Sequence, residues 1–402
     1  MKKVFISIAL LVVAITAGNA QNTDQAHPKN ILDVLSLIRE NNKDIQAERA
    51  LTTAKSLEDK SENNLPDPTV SYSHLWGNQE GMGFTGEFIA EQSFSFPTIY
   101  AKRKQLNKER LSQYKYQEDI IRQNVLLQAK NICFDLIYLN RLKEILSERL
   151  NNAEQLSKFY RSRLESGSVN RIDMNKIDLE LLNAKNEYRV NETSIAAKLQ
   201  ELAALNGGEF IHFEAKEYDS EPIIPNNFED MKEELISGSA ELNFLKTEEA
   251  AAMREITLNK NLWFPELRVG YRMNPSSGGQ RYNGIIAGVS IPLFANRNKV
   301  KQAKANAIYA TSKYESGINS TESALRQLWN RAVSLQSSVS EYRTMLDSQD
   351  NIKLLNQSIQ AGQISIIEYF ANVTTIYQSF SNYYQLENEY QKTVAELYKY
   401  QL

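Results

Sequence analysis

The stretch FTGEFIAEQSFSFP, residues 84–97, alternates almost without a fault. One register holds Phe84, Gly86, Phe88, Ala90, Gln92, Phe94 and Phe96. The other holds Thr85, Glu87, Ile89, Glu91, Ser93 and Ser95. A two-residue period is that of a β-strand with one apolar face and one wet face. Ile89 is the aliphatic intruder on the wet register. Most of the remaining sequence has helical periodicity, so the role of this strand decides the fold.

Three more segments share the pattern. TVSYSHLWG puts Val70, Tyr72, His74 and Trp76 on one face and Thr69, Ser71 and Ser73 on the other. WFPELRVGYRM puts Leu267, Val269, Tyr271 and Met273 opposite Glu266, Arg268, Gly270 and Arg272. YNGIIAGVSIP aligns Ile285, Ala287, Val289 and Ile291. Glycine-rich loops, GNQEGMG and NPSSGGQR, join these segments into two hairpins, about 68–96 and 265–292.

The rest reads as helix. Apolar residues recur at three-to-four spacing from about 31 to 63, where LPDP stops them. No proline falls between Pro97 and Pro222, so 99–166 reads as one very long helix or a nearly continuous pair, reaching roughly 100 Å, too long for the inside of a globular domain. Gly167 breaks it, and a second helix spans about 171–205, ending at Asn206-Gly207-Gly208. Residues 209–227 are irregular. The order then repeats: a helix over 228–260, the second hairpin, a long helix over 298–361, a break at Gly362 and a last helix to the C-terminus. Pro265 follows Pro66 by 265 − 66 = 199 residues, and Gly362 follows Gly167 by 362 − 167 = 195. The chain therefore reads as two structural repeats, 21–208 and 228–402, joined by 209–227.

Composition limits the function. The 402 residues carry a net charge of −3, without the basic excess of a nucleic-acid binder. Mean hydropathy is −0.47, which leaves no room for a series of membrane-spanning helices. Lys2-Lys3, the apolar run 4–17 and Gly18-Asn19-Ala20 form the pattern of a cleaved export signal over 1–20, with Gln21 as the new start. No cysteine lies near the cut, which argues against a lipid anchor there. Cys133, the single cysteine, sits in an apolar run and reads as a core residue. His27, His74 and His212 lack metal-ligand spacing, and no catalytic or phosphate-binding motif occurs, so neither enzyme chemistry nor a cofactor or metal is expected.

Isolated hairpins are barely stable, and four strands cannot close a barrel with an interior. Further strands must come from other copies of the chain. A uniformly apolar face suits lipid and a wet face suits a water-filled lumen, as in a transmembrane β-barrel. A soluble sandwich is the plain alternative, but it leaves the export signal, the duplication and the long helices unexplained.

This order of parts resembles the TolC-like outer membrane efflux proteins over essentially the whole mature chain. The residues that carry the resemblance are LPDPTVSYSHLWG, EQSFSFPTIYAKRKQ, WFPELRVGY, SIPLFANRNKVKQAKA and the pair SGSVNRID and AGQISIIE. LPDP…WG and QSFSFPTIY look most like the branch serving heavy-metal pumps of the cobalt–zinc–cadmium and copper–silver type. The resemblance implies a mainly α fold with a small membrane β-barrel. It implies a homotrimer, in which three chains build one twelve-stranded barrel in the outer membrane above a long periplasmic α-barrel. It also implies docking onto a periplasmic adaptor and an inner-membrane pump of the resistance-nodulation-division type.

The candidate residues follow. Phe84, Phe88, Phe94, Phe96, Val269 and Tyr271 are expected to face outer membrane lipid; Glu87, Glu91, Arg268 and Arg272 are expected to face the lumen. In the family the two glycine breaks mark the periplasmic tip, where the tunnel closes and acids line the constriction. Glu368 matches one such acid, Ala371 stands where a second is expected, and Asp173 is the first-half counterpart of Glu368. Asn170 to Asp173 and Ser365 to Glu368 also read as helix caps, a role compatible with a ring of carboxylates. The basic runs Lys102-Arg103-Lys104 and Arg297, Lys299, Lys301 fall where barrel should meet helices, either as solvated helix starts or in contact with headgroups or lumen. A competing function is an exported structural or adhesive coiled-coil protein that carries nothing.

Overall fold

A computed structural model describes residues 30–219, 224–346 and 351–402. The expected export signal, His27 and Pro222 lie outside the described residues. The first repeat comprises α1 (Ile31–Asn41), α2 (Lys43–Ser61), β1 (Thr69–Trp76), β2 (Phe84–Phe94), α3 (Pro97–Glu165) and α4 (Arg171–Leu205). The second comprises α5 (Glu229–Gly238), α6 (Ala240–Asn261), β3 (Glu266–Pro275), β4 (Arg281–Ser290), α7 (Lys299–Leu346), α8 (Asn351–Gln360) and α9 (Ile366–Leu397).

Two segments expected as single helices are broken by one capping residue each. Asn42 is extended, and its side-chain oxygen accepts from the backbone N–H groups of Asp44 and Ile45 while its amide donates to the Leu205 carbonyl at 2.8 Å. Ser239 is likewise extended and accepts from Leu242 N–H at 3.3 Å. In both cases the side chain satisfies the new helix start, which makes the interruption inexpensive.

The central element is α3, 69 residues long and about 100 Å from end to end. Pro97 opens it at a position where the missing N–H is no loss. It packs against α4 and α9 on one half of the molecule and against α2 and α6 on the other, while α7 joins α6 and α9. The helices thus form an open layer, edged by α4 or α2 on one side and α7 on the other.

Separate regions of buried core hold the layer. Around α1, the residues Ile31, Val34, Leu35 and Ile38 bury a helical stripe against Leu126, Cys133 and Ile137 of α3 and Phe213 of the connecting segment. Burying each such aliphatic contributes about 1.5–3 kcal/mol. Near the middle, Trp329, Tyr383, Tyr390 and Val394 pack α7 on α9. At the far end Tyr160, Met174, Ile177, Ile359, Tyr369 and Tyr377 bind the two helical hairpins together. Polar ties add register. Glu387 of α9, almost fully buried, pairs with Arg141 of α3 and Arg343 of α7. Asp135 of α3 pairs with Lys198 of α4 and Lys392 of α9.

The four strands form one antiparallel sheet in the order β1-β2-β3-β4, so the two hairpins lie side by side. All four strand-to-helix junctions therefore fall at the same end of the sheet.

Candidate functional site: the two faces of the sheet and the helical tips

The register sorts side chains by face. Trp76 opposes Phe84, Tyr72 opposes Phe88 and Val70 opposes Ala90. Phe88, Ala90, Gln92 and Phe94 oppose Met273, Tyr271, Val269 and Leu267, and β3 continues this register to Ile285, Ala287 and Val289 of β4. One continuous apolar surface results. Trp76, Tyr72, Val269, Tyr271 and Ile285 on it are exposed.

Its few polar groups are engaged within the sheet or at its base. Tyr72 Oη lies 3.1 Å from His74 Nδ1, and the imidazole stacks on Phe84. Gln92 donates to the Pro66 carbonyl at 2.6 Å, and Tyr271 donates to Asn283 Oδ1 at 3.1 Å. A surface facing hydrocarbon needs this internal satisfaction, because no water is present to supply it.

The opposite face is ionic. Glu91 pairs with Arg268 at 3.6 Å and Glu87 pairs with Arg272, both diagonally across β2 and β3. Gly270 lies directly opposite Glu91, where an added Cβ would come within 2.7 Å of the Ala90 carbonyl oxygen. Ile89 sits half-buried between the two ion pairs, opposite Arg272. The pairs are partly exposed, so they add little to stability; they leave this stretch of the face locally neutral.

The β2 strand is shorter than its alternation suggests. The strand ends at Phe94, and Phe96 is the residue preceding α3, with its ring stacked on Phe264 at 4.7 Å. Phe96 keeps an extended backbone, and the helix begins only at Pro97. Phe84, Phe88 and Phe94 lie on the apolar face with Val269 and Tyr271.

At the other end of the molecule the two helical turns are built alike. Gly167 and Gly362 both adopt φ of +72°, with open space where a Cβ would stand. Ser168 N–H donates to the Arg163 carbonyl at 2.8 Å, and Gln363 N–H to that of Ser358 at 2.9 Å, each closing the preceding helix in a Schellman turn. Three residues after each glycine comes a cap. Asn170 accepts from Asp173 N–H at 2.8 Å and donates its amide to Asp173 Oδ2 at 2.8 Å. Ser365 accepts from Glu368 N–H at 3.2 Å, and Glu368 Oε2 accepts from Ser365 N–H and Oγ–H at 2.9 Å each, a reciprocal capping box. These bonds hold the Glu368 carboxyl below its ordinary value. Asp173 also meets Lys176 at 3.4 Å.

Sequence reasoning missed one feature of the tips. Ile172 and Ile367, again separated by 367 − 172 = 195, are 68% and 65% exposed beside the two acids. A core-facing and a bare isoleucine are indistinguishable in a single sequence; the duplicate offset was the available signal. The sheet and the tips stand at opposite ends of α3, so the two groups of candidate residues form two sites, not one. Among the described residues no group of three or more His, Cys, Asp or Glu side chains is placed to hold a metal. Among them, too, no helix is long and apolar enough to cross a membrane.

No family model and no curated protein sequence matches the chain. Solved structures do. The chain is similar to CusC, whose crystal structures concern folding and transmembrane channel formation, with a TM-score of 0.74, 15% identity and coverage of 92% of this chain and 91% of that one. It is similar to the CmeC outer membrane channel of Campylobacter jejuni, with a TM-score of 0.72, 14% identity and coverage of 92% and 85%. It is similar to the MtrE outer membrane channel of Neisseria gonorrhoeae in its open state, with a TM-score of 0.73, 13% identity and coverage of 92% and 88%. The fold is therefore that of the TolC-type outer membrane channels, a helical barrel joined to a β-barrel.

Proposed function

We propose that the protein is the outer membrane channel of a tripartite efflux system, a passive duct assembled from three copies of the chain. The observation that carries this reading is the sheet: one face apolar with its polar groups satisfied, the other ionic, and the outward edges of β1 and β4 without a strand partner among the described residues. A sheet open at β1 and β4 is closed by pairing with the next copy, and twelve strands then enclose a lumen lined by the Glu–Arg pairs. The helical layer has matching needs. Leu179, Leu182 and Val190 are exposed along its α4 edge, and Met345 and Leu354 along its α7–α8 edge.

In this assembly the helical tips meet at the threefold axis. Three Glu368 and three Asp173 carboxylates form an acidic ring held by their caps, which concentrates cations at the entrance. Ile172 and Ile367 offer apolar contacts to a periplasmic adaptor, which joins the duct to an inner-membrane pump of the resistance-nodulation-division type. The pump supplies energy and selects cargo; the acidic entrance favours metal cations and small cationic toxic compounds. The test is a strain lacking the gene, challenged with zinc, cobalt, copper and cationic dyes. The wild-type gene restores resistance to at least one of them, and a variant with a charged lipid face does not. Full resistance in the deletion strain, to every compound, contradicts the efflux role.

A further inference from the structure

The helices that leave the sheet begin in an unusual way. Residues 97–108, the first three turns of α3, hold Lys102, Arg103, Lys104 and Lys108 and no acid. Residues 291–304, leading into α7, hold Arg297, Lys299, Lys301 and Lys304 and no acid. A helix start carries partial positive charge that favours acids in its first turn; α3 has no acid there and α7 holds Lys299 and Lys301 there, and the other six cations lie just before or within the next turns of these two duplicated helix starts. None of the eight meets a carboxylate among the described residues, although many other cations in the chain do. Lys102 reaches only the Gln105 side chain, and Arg103 only the Glu62 carbonyl. The first acid of α3, Glu109, pairs with Arg254 and so is engaged elsewhere.

Directly at the sheet end, the junctions expose large apolar residues. Leu293 and Phe294 are 65% and 81% exposed, and Leu65, Trp263 and Phe264 are also bare. Phe264 stacks on Phe96, two residues beyond the end of β2, so this belt lies next to the sheet. An apolar surface, then an aromatic rim, then a collar of uncompensated cations is the order of chemistry met on passing from hydrocarbon through the interface to headgroup phosphates.

We infer that this collar binds the anionic phospholipid headgroups of the leaflet from which the helices emerge, fixing the depth of the barrel in the membrane. The phosphates supply the counter-charge that the chain omits from both helix starts. This inference rests on the membrane reading of the sheet but does not require transport.

The test uses the full trimer in nanodiscs of phosphatidylcholine alone or with added phosphatidylglycerol, read by thermal stability and by lipid retained in native mass spectrometry. A fourfold variant, Arg297→Gln, Lys299→Gln, Lys301→Gln and Lys304→Gln, removes half the collar; a second variant replaces Lys102, Lys104 and Lys108 by Gln. Wild type is expected to retain phosphatidylglycerol in preference to phosphatidylcholine, with the preference falling by up to about fivefold per cation removed. Both variants are expected to match wild type in phosphatidylcholine alone. Equal lipid preference in wild type and variants overturns the proposal, as does a change confined to ion selectivity of the pore, which would place the cations in the lumen. Failure of the wild-type chain to enter either bilayer refutes the membrane reading itself.

Discussion

Ala90 offers the sharpest handle on the orientation of the sheet. It lies one residue past the midpoint of β2, on the apolar register, between Val70 of β1 and Tyr271 of β3. In a barrel it faces the bilayer midplane, where an arginine costs about 2–4 kcal/mol. Three copies contribute three arginines, so Ala90→Arg is expected to cost the trimer about 6–12 kcal/mol, comparable to the whole stability of an ordinary domain. Ser73→Arg is the matched control. It adds the same side chain to the same sheet, but on the ionic register, directly opposite Glu87. The assay is refolding into lipid vesicles, with the yield of detergent-resistant trimer and protease protection as readouts. Ala90→Arg is expected to give little or no trimer, and Ser73→Arg to assemble close to wild type. If Ala90→Arg assembles normally while Ser73→Arg fails, the faces are assigned the wrong way round; if both assemble, the sheet is not in lipid.

Arg110→Met leaves the nearly buried carboxylate of Asp59 without its 3.0 Å partner, so it is expected to destabilise by about 3–5 kcal/mol in thermal unfolding, with Asp59→Leu on the same chain recovering most of the loss. The Glu368 carboxyl is held below its ordinary value of 4.5 by its bonds to Ser365. A lowered folded value means that its contribution is fully present above that pH and is lost as pH falls through the lower folded value. The protection factors of amides at the start of α9, that is exchange corrected for its intrinsic pH dependence, are therefore expected to fall in that acid range, and Glu368→Gln to abolish that fall. Burial pushes the Cys133 thiol up to about 12, with the Asp219 carboxylate adding to the effect. Maleimide at mild alkaline pH is expected to leave the folded protein unlabelled and to modify it fully after unfolding; rapid labelling of the folded chain would contradict the packing around α1.

Much of this fold was legible because its signals are local and repeated. The bounds of α4 are set by Asn170 before it and Asn206-Gly207 after it, a cap and a stop that the sequence displays. The lengths of α3 and the hairpins follow from proline and glycine placement. The breaks at Asn42 and Ser239 were not legible, because one polar residue inside a periodic run has no signature until its capping partners are known. The end of β2 was blurred for the opposite reason: the alternation runs on to Phe96, while the strand stops at Phe94 and Pro97 opens α3. Cross-strand register was also out of reach. The alternation put Glu87 and Glu91 on one face near Arg268 and Arg272 of the other hairpin, and which glutamate meets which arginine, diagonally, emerged only from the sheet. So did the partners of His74 and Gln92, which look like flaws in the apolar face until Tyr72 and Pro66 are seen beside them.

The central claim is that three copies of this chain enclose a continuous water-filled path whose narrow end is acidic. Single-channel recording of the purified protein in a planar bilayer tests it most directly. Discrete, cation-selective conductance steps are predicted, with selectivity reduced by Glu368→Gln and reduced further by adding Asp173→Asn. A correctly folded, bilayer-inserted trimer that shows no conductance under any applied voltage would contradict the account.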